Sequence, residues 1–241
     1  MKIIADLHTH TVASGHAYST VNEMAQEASR KGLQALALTD HGPALPGGPH
    51  LYHFGAMRFI PCWIAGVRIL RGVEANIIDR DGTLDMPDSY LAKIDFAMAA
   101  FHEDCGFDNQ GIDRNTEAVL QAMSNPRVKA IAHSGNPAFP VHLEQLVQGA
   151  LESGTALEIN NSSFAMSRKG SRPHCEQLAT LLARSGALVV VGSDAHIAQG
   201  VGEFDNALEV LQKAGIRGEQ VVNSSYKRLM SFLGLEEVPE R

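Results

Sequence analysis

A chain of 241 residues with 44% apolar content can bury a sizeable core in one compact unit, and a net charge of −7 excludes a basic surface built to grip long nucleic acid. Cys62, Cys105 and Cys175 stand far apart without CxxC spacing, which excludes a disulfide framework and reads as reduced thiols in a cytoplasmic protein. Asp6, His8 and His10 occupy the place where a signal peptide needs its apolar stretch, and no run approaches the ~18 apolar residues of a membrane span, so neither export nor a membrane partner is expected.

Short apolar runs rich in β-branched residues alternate with stretches of helical periodicity. In chain order the pattern predicts a strand at 3–6, a helix at 21–31, and strands at 35–39 and 69–76. The tight turn at 79–82 then extends the third strand into a hairpin. Strands at 96–101 and 129–132 follow, with a helix at 115–123 between them; next come a helix at 141–153, a strand at 156–160, a helix at 173–185, a strand at 188–191 and a helix at 204–214. Gly32, Gly154, Gly186 and Gly215 follow four of the helices, where a left-handed cap is favoured. Seven strands, a helix after most of them, no internal repeat and no linker predict an α/β fold. Its form is a (β/α)7 barrel, TIM-barrel-like and one unit short of eight, as a single domain over 1–241; an open doubly wound sheet is the weaker alternative.

Polar residues gather where such a barrel builds its sites, just after the apolar runs. The first strand leads to His8 and His10 and its loop to His16, the second to Asp40 and His41, the third to Glu74, the fourth to His102 and the fifth to His133. The sixth ends in Asn160 and Asn161, and the seventh in Gly-Ser-Asp-Ala-His with Asp194 and His196. A lone histidine at a strand end is ordinarily a hydrogen-bonded structural residue. Seven of the eleven histidines at one rim are not explained that way, because converging imidazoles repel when protonated, whereas divalent ions use their neutral lone pairs. In His8-Thr9-His10 the alternate residues of an extended segment point the same way, so two imidazoles can grip one ion.

The order H-T-H at 8–10, His16, T-D-H at 39–41, Glu74, His102, His133 and G-S-D-A-H at 192–196 resembles the PHP (polymerase and histidinol phosphatase) family, whose fold is a distorted seven-unit barrel. The stretches H-T-V-A-S-G-H-A-Y-S-T, T-D-H-G-P, L-R-G-V-E-A-N, E-I-N-N-S-S-F and S-R-K-G-S are similar to its YcdX-type probable phosphatases, over about residues 4–235. The resemblance implies three metal sites: His8, His10, Glu74 and Asp194; Glu74, His102 and His133; and His16, His41 and His196. Glu74 would then bridge two ions. Ser134 stands where close relatives would carry proline, a change expected to alter the loop and not the ligand. A homo-oligomer, a trimer by the same resemblance, is also implied.

Such a site implies about three divalent ions, with zinc best suited to imidazole and manganese or iron as alternatives. The expected function is a metal-dependent phosphoesterase, a phosphatase that hydrolyses a small phosphate monoester with a metal-activated water and no protein nucleophile. A phosphodiesterase or nuclease-like enzyme acting on nucleotides, a hydrolase of carbonyl compounds and a noncatalytic metal-binding PHP module are the rival readings. Arg168, Lys169 and Ser171 are candidate phosphate contacts, with solvated loop charges as the alternative. His50 and His53 are further candidate substrate contacts; with Arg58 they lie near the Gly/Pro-rich loop 43–49, which could cover the rim as a lid, and Met57, Phe59, Ile60 and Trp63 beside them read as core or as a subunit contact. Asp6 and Asp40 are candidates to fix a ligand imidazole's tautomer, or alternatively to pair with a rim cation and to cap a turn, respectively. His142 and His174 open helices away from the rim.

Overall fold

The computed structural model describes residues 1–165, 167–237 and 239. In chain order the elements are β1 Ala5–Asp6, α1 Val21–Arg30, β2 Ala35–Leu38, α2 Leu51–Ala56, β3 Trp63–Ile64, β4 Val67–Asn76, α3 Asp88–Leu91 and β5 Phe96–Ala100. Then follow α4 Ile112–Met123, β6 Val128–Ile131, α5 Leu143–Ser153, β7 Ala156–Asn160, α6 Ser171–Ser185, β8 Val189–Gly192, α7 Asp205–Ala214 and α8 Tyr226–Leu233. α1 begins at a capping box, in which Thr20 accepts from the Glu23 N–H and the Glu23 carboxylate accepts from the Thr20 N–H. α5, α6 and α7 end on the left-handed glycines Gly154, Gly186 and Gly215, where a side chain would be strained.

Seven strands pair in parallel in the order β1-β2-β4-β5-β6-β7-β8, and β3 pairs antiparallel with β4. β1 and β8 bracket the remaining gap. Just beyond their C-terminal ends the Asp194 N–H donates to the His8 carbonyl at 2.9 Å and the His10 N–H to the Ala195 carbonyl at 2.9 Å. Lower down, the buried Asn223 side chain takes the place of a strand: its Nδ2 donates to the Ala5 and Val191 carbonyls at 2.8 and 2.7 Å, and its Oδ1 accepts from the Val191 N–H. The barrel is therefore nearly closed by a side-chain seam in place of an eighth strand.

The inner faces carry mostly small residues, among them Ala35, Ala37, Ala100, Ala130, Ala132 and Ala156, with Phe96 and Met98 filling the centre and Leu229, Met230 and Leu233 of α8 joining the same cluster. Small side chains suit the narrow bore of a seven-stranded barrel. A second, larger core lies between strands and helices, with Leu36, Leu38, Ile69, Val73, Leu178, Leu182 and Val189 among its members. Because side chains alternate, each inward column continues upward into polar residues: Ala37 to Thr39 and His41, Leu70 to Glu74 and Asn76, Ala100 to His102, Ala156 to Glu158 and Asn160, and Val190 to Asp194. The strand register thus delivers the site.

Most expected boundaries match within one to three residues, and Ile77 and Leu84 form the expected antiparallel bridge across the 79–82 turn. β3, α2, α3 and α8 are additions. Of the four residues read as core or a subunit contact, Met57 is buried and Ile60 packs against the core, but Phe59 is 74% exposed with the Arg58 guanidinium 4.6 Å from its ring centre. Trp63 is half-buried in β3.

Candidate metal centre

Glu74, fully buried at the top of β4, is the hub. Its Oε2 lies 3.3 Å from His8 Nε2, 3.6 Å from His10 Nε2 and 2.9 Å from His41 Nδ1; its Oε1 lies 2.7 Å from His133 Nε2 and 3.4 Å from His102 Nε2. Asp194 Oδ1 lies 3.2 Å from His10 Nε2 and 3.6 Å from His8 Nε2. Nitrogen and oxygen ligands held tetrahedrally at zinc bond lengths stand about 3.3 Å apart, so these spacings fit edges of such coordination polyhedra. Ligand atoms come within 4.8 Å of one another in three overlapping groups: His8, His10 and Asp194; His41, Glu74 and His102; and His10, His41 and His196. Relative to the expected sets, His10 joins the outer group beside His41 and His196, and His41 stands with Glu74 and His102. His16 stands at that group's edge, its Nε2 3.1 Å from His196 Nε2, and His133 is hydrogen-bonded to Glu74.

His8 Nε2, His10 Nε2, His41 Nδ1, His102 Nε2, Glu74 Oε2 and Asp194 Oδ1 are all buried and, among the described residues, have no hydrogen-bond partner. Leaving so many buried polar atoms unmade is costly unless something takes their lone pairs. Four of the imidazoles have the other nitrogen engaged: His8 Nδ1–H donates to Glu158 Oε1 at 2.7 Å, His102 Nδ1–H to Asn76 Oδ1 at 2.7 Å and His196 Nδ1–H to the Asp194 carbonyl at 3.0 Å, while His10 Nδ1 faces Ser14 Oγ at 3.3 Å. This leaves Nε2 lone pairs aimed at the shared space, the arrangement that metal-ligating histidines require. The residues present fit a cluster of about three divalent ions.

Electrostatics agree. Burial alone would raise the Glu74 carboxyl, yet His8, His102 and His41 hold it well below its usual range; burial is likewise outweighed at Asp194 by His8 and Arg168. Burial and the neighbouring His41 push the His10 imidazole down to about 3, and burial with Arg168 pushes His133 down to about 4, so both are neutral donors at neutral pH. His8 is the exception: burial opposes its charge, but Glu158, Glu74 and Asp194 raise it well above the ordinary imidazole range.

Asp6 touches no imidazole. Its carboxylate accepts from the backbone N–H groups of His8, Ser193 and Gly202, tying the ends of β1 and β8 together. Asp40 accepts from Thr11 N–H, Thr11 Oγ1 and Ser14 Oγ, so it bears on His10 through Ser14. Glu158 and Asn76 make the direct imidazole contacts, and sequence reasoning missed both. Each was marked only by its parity, two residues from Asn160 or from Glu74 on one strand face. Gly192 makes room for this layer: a Cβ there would collide with the Glu158 carboxylate and with His8. Three non-glycine residues of the site, His133, Arg168 and Asp194, have left-handed backbones at φ 32°, 53° and 59°. Such strain concentrates where the surrounding structure fixes a functional geometry.

A cavity of about 560 Å³ opens on this centre, with His16, His41, His102, His196, Asp194 and Arg168 in its lining. Arg168 Nη1 donates to Asp194 Oδ2 at 2.9 Å and to Ser167 Oγ at 3.0 Å. Lys169 is exposed and outside that lining. Ser171 turns away, its Oγ–H bonding to the Arg168 carbonyl at the start of α6. His50 caps α2 by accepting from the Tyr52 N–H, and His53 Nε2 lies 3.4 Å from Asp40 Oδ2. Within 43–60, Leu45 lines the cavity.

The model of the PHP domain matches residues 6–225. The chain belongs to the PHP family. Among its relatives, a probable phosphatase of Acetivibrio thermocellus is 49% identical over 233 residues, spanning 97% of this PHP chain and 96% of its own length. A probable phosphatase of Syntrophotalea carbinolica is 49% identical over 235 residues, covering 98% of each chain. The crystal structure of histidinol phosphate phosphatase from Lactococcus lactis, complexed with zinc, L-histidinol and phosphate, superposes with a TM-score of 0.61 at 19% identity, over 88% of this chain and 94% of that one; it supports the fold.

Proposed function

We propose that this PHP chain is a metal-dependent phosphoesterase, a phosphatase that hydrolyses a small phosphate monoester. One observation carries the reading: six partnerless buried ligand atoms face one space that opens on a cavity containing a guanidinium group. The relatives of nearly equal length, named as probable phosphatases, support it. His8, His10, His16, His41, Glu74, His102, His133, Asp194 and His196 would hold the ions, with zinc the best match to so many imidazoles and manganese or iron as alternatives. Bound there, divalent ions supply positive charge for phosphoryl oxygens and lower the pKa of water.

The rest of the work falls to the chain. Glu158 and Asn76 keep the Nδ1 protons of His8 and His102 in place, so that their Nε2 atoms stay available. Among the described residues Arg168 commits its Nη1 to Asp194 and Ser167, and its other N–H groups can hold a non-bridging phosphate oxygen. Leu45, Ala165 and Ile197 give the cavity apolar walls that limit water around the ester. The unpaired thiols Cys62, Cys105 and Cys175 support a cytoplasmic setting. Among the described residues no helix is long and apolar enough to cross a membrane.

The test is release of inorganic phosphate by metal-loaded protein from p-nitrophenyl phosphate, beside cleavage of bis(p-nitrophenyl) phosphate. Turnover of the monoester is expected. Turnover of the diester alone would move the assignment to a phosphodiesterase, and turnover of neither in any metal form would leave a noncatalytic module.

A further inference from the structure

The chain Asp85–Asn76–His102 joins the 79–85 hairpin to the centre. Asp85 follows the Ile77–Leu84 bridge, and its carboxylate collects three donors: Asn76 N–H at 2.8 Å on Oδ1, and Asn76 Nδ2 at 2.5 Å and Ala44 N–H at 2.9 Å on Oδ2. Asn76 Nδ2 also donates to the Gly42 carbonyl at 3.3 Å. A carboxylate and a carbonyl can only accept, so the nitrogen end of this amide must face them and its oxygen must face His102. An amide oxygen accepts, so the proton of His102 sits on Nδ1, 2.7 Å away, and Nε2 is left bare toward Glu74 Oε1 at 3.4 Å. Gly42 permits the approach, because a Cβ there would collide with both carboxylate oxygens of Asp85. The same carboxylate pins Ala44, three residues after His41, whose ring centre lies 4.7 Å from that of His102, so one acid constrains two neighbouring imidazoles.

We propose that Asp85 is a positioning residue for metal binding: by orienting the Asn76 amide it sets the tautomer of His102, and by holding Gly42 to Ala44 it sets the place of His41. The inference deepens the metal-centre reading and rests on it. Asp85 is outside the lining of the cavity, and its bonds reach the centre through Asn76 and the loop backbone.

The test is a competitive titration of the full chain, freed of metal, with Zn²⁺ against a chromophoric chelator, for wild type and Asp85→Asn, with circular dichroism and melting on both. In the variant one side-chain acceptor becomes a donor facing donors, so the site that uses His102 is expected to weaken about 10- to 100-fold while the His8, His10 and Asp194 site keeps its affinity. All sites within about twofold of wild type would overturn the proposal, as would an equal fall at every site with a lowered melting temperature. Long-range ¹⁵N–¹H NMR of zinc-loaded wild type gives an independent reading: His102 is expected to carry its proton on Nδ1, and an unprotonated Nδ1 would overturn the proposal without any variant. Gly42→Ala, which displaces the Asp85 carboxylate, is expected to reproduce the selective loss if Asp85→Asn does not fold. Wild type that binds no zinc would remove the metal-centre reading and this one together, whereas wild type that binds three ions beside an unchanged Asp85→Asn would remove this one alone.

Discussion

Replacing Glu158 by Gln changes the centre by one atom and one charge. The Glu158 carboxylate is buried and accepts three donors: His8 Nδ1 at 2.7 Å and, on its other oxygen, His133 N–H at 2.9 Å and Asn160 Nδ2 at 3.3 Å. Glutamine offers one oxygen. If that oxygen stays with His8, the new NH₂ group confronts two donors that are left unsatisfied in the barrel interior, at about 1–3 kcal/mol each. If it turns toward His133, the NH₂ group faces His8 Nδ1, which must then accept, and the imidazole proton moves to Nε2, where it occupies the lone pair aimed at Asp194 and Glu74. The second route leaves none of these donors unmade and is favoured over the first by about 2–6 kcal/mol; it predicts a loss of metal affinity at the His8 group of about 10- to 100-fold. Zinc titration against a competing chelator, with circular dichroism to verify folding, measures it. A folded Glu158→Gln protein whose zinc affinity lies within about twofold of wild type would refute the reasoning.

Other perturbations separate ligand, substrate and scaffold roles. His10→Ala and Asp194→Asn should each abolish monoester turnover with an unchanged circular dichroism spectrum; near wild-type turnover in either removes that residue from the mechanism. Arg168→Ala should lower kcat/KM by about 10- to 100-fold, the loss of a charge-assisted hydrogen bond of about 1.5–3 kcal/mol, with Arg168→Lys intermediate and metal content unchanged. Metal content falling in step would mean that Arg168 acts through Asp194 and not on substrate. Asn223→Ala strips the seam of partners for the Ala5 and Val191 carbonyls and the Val191 N–H, a cost of about 3–5 kcal/mol that urea denaturation should register as a clear fall in the midpoint; an unchanged midpoint would deny the seam its role in closing the barrel.

The strands were legible because both layers that cover them are apolar: a run such as Ala-Leu-Ala-Leu at 35–38 needs no polar face in a parallel sheet. The rim was legible because six of the seven runs lead abruptly to His, Asp or Glu. Illegible parts have physical causes. β1 has only two residues in regular pairing, so alternation does not carry from Asp6 to His8, and Asp6 serves backbone N–H groups. His133 reaches Glu74 from a left-handed backbone that no periodicity announces. Glu158 lies inside β7 and Asn76 is the last residue of β4, where a polar residue reads as an exception or a strand end until its cross-barrel partner is known. Asn223 stands in for a strand from the far end of the chain, and long-range side-chain pairing of that kind leaves no local pattern.

The most direct test of the metal centre is elemental analysis of gently purified protein, reporting zinc, manganese and iron per chain. A total near three is expected. A total near zero that persists after metal is added back would mean that the partnerless imidazoles and carboxylates around Glu74 serve another purpose, and the phosphoesterase assignment would fall with them.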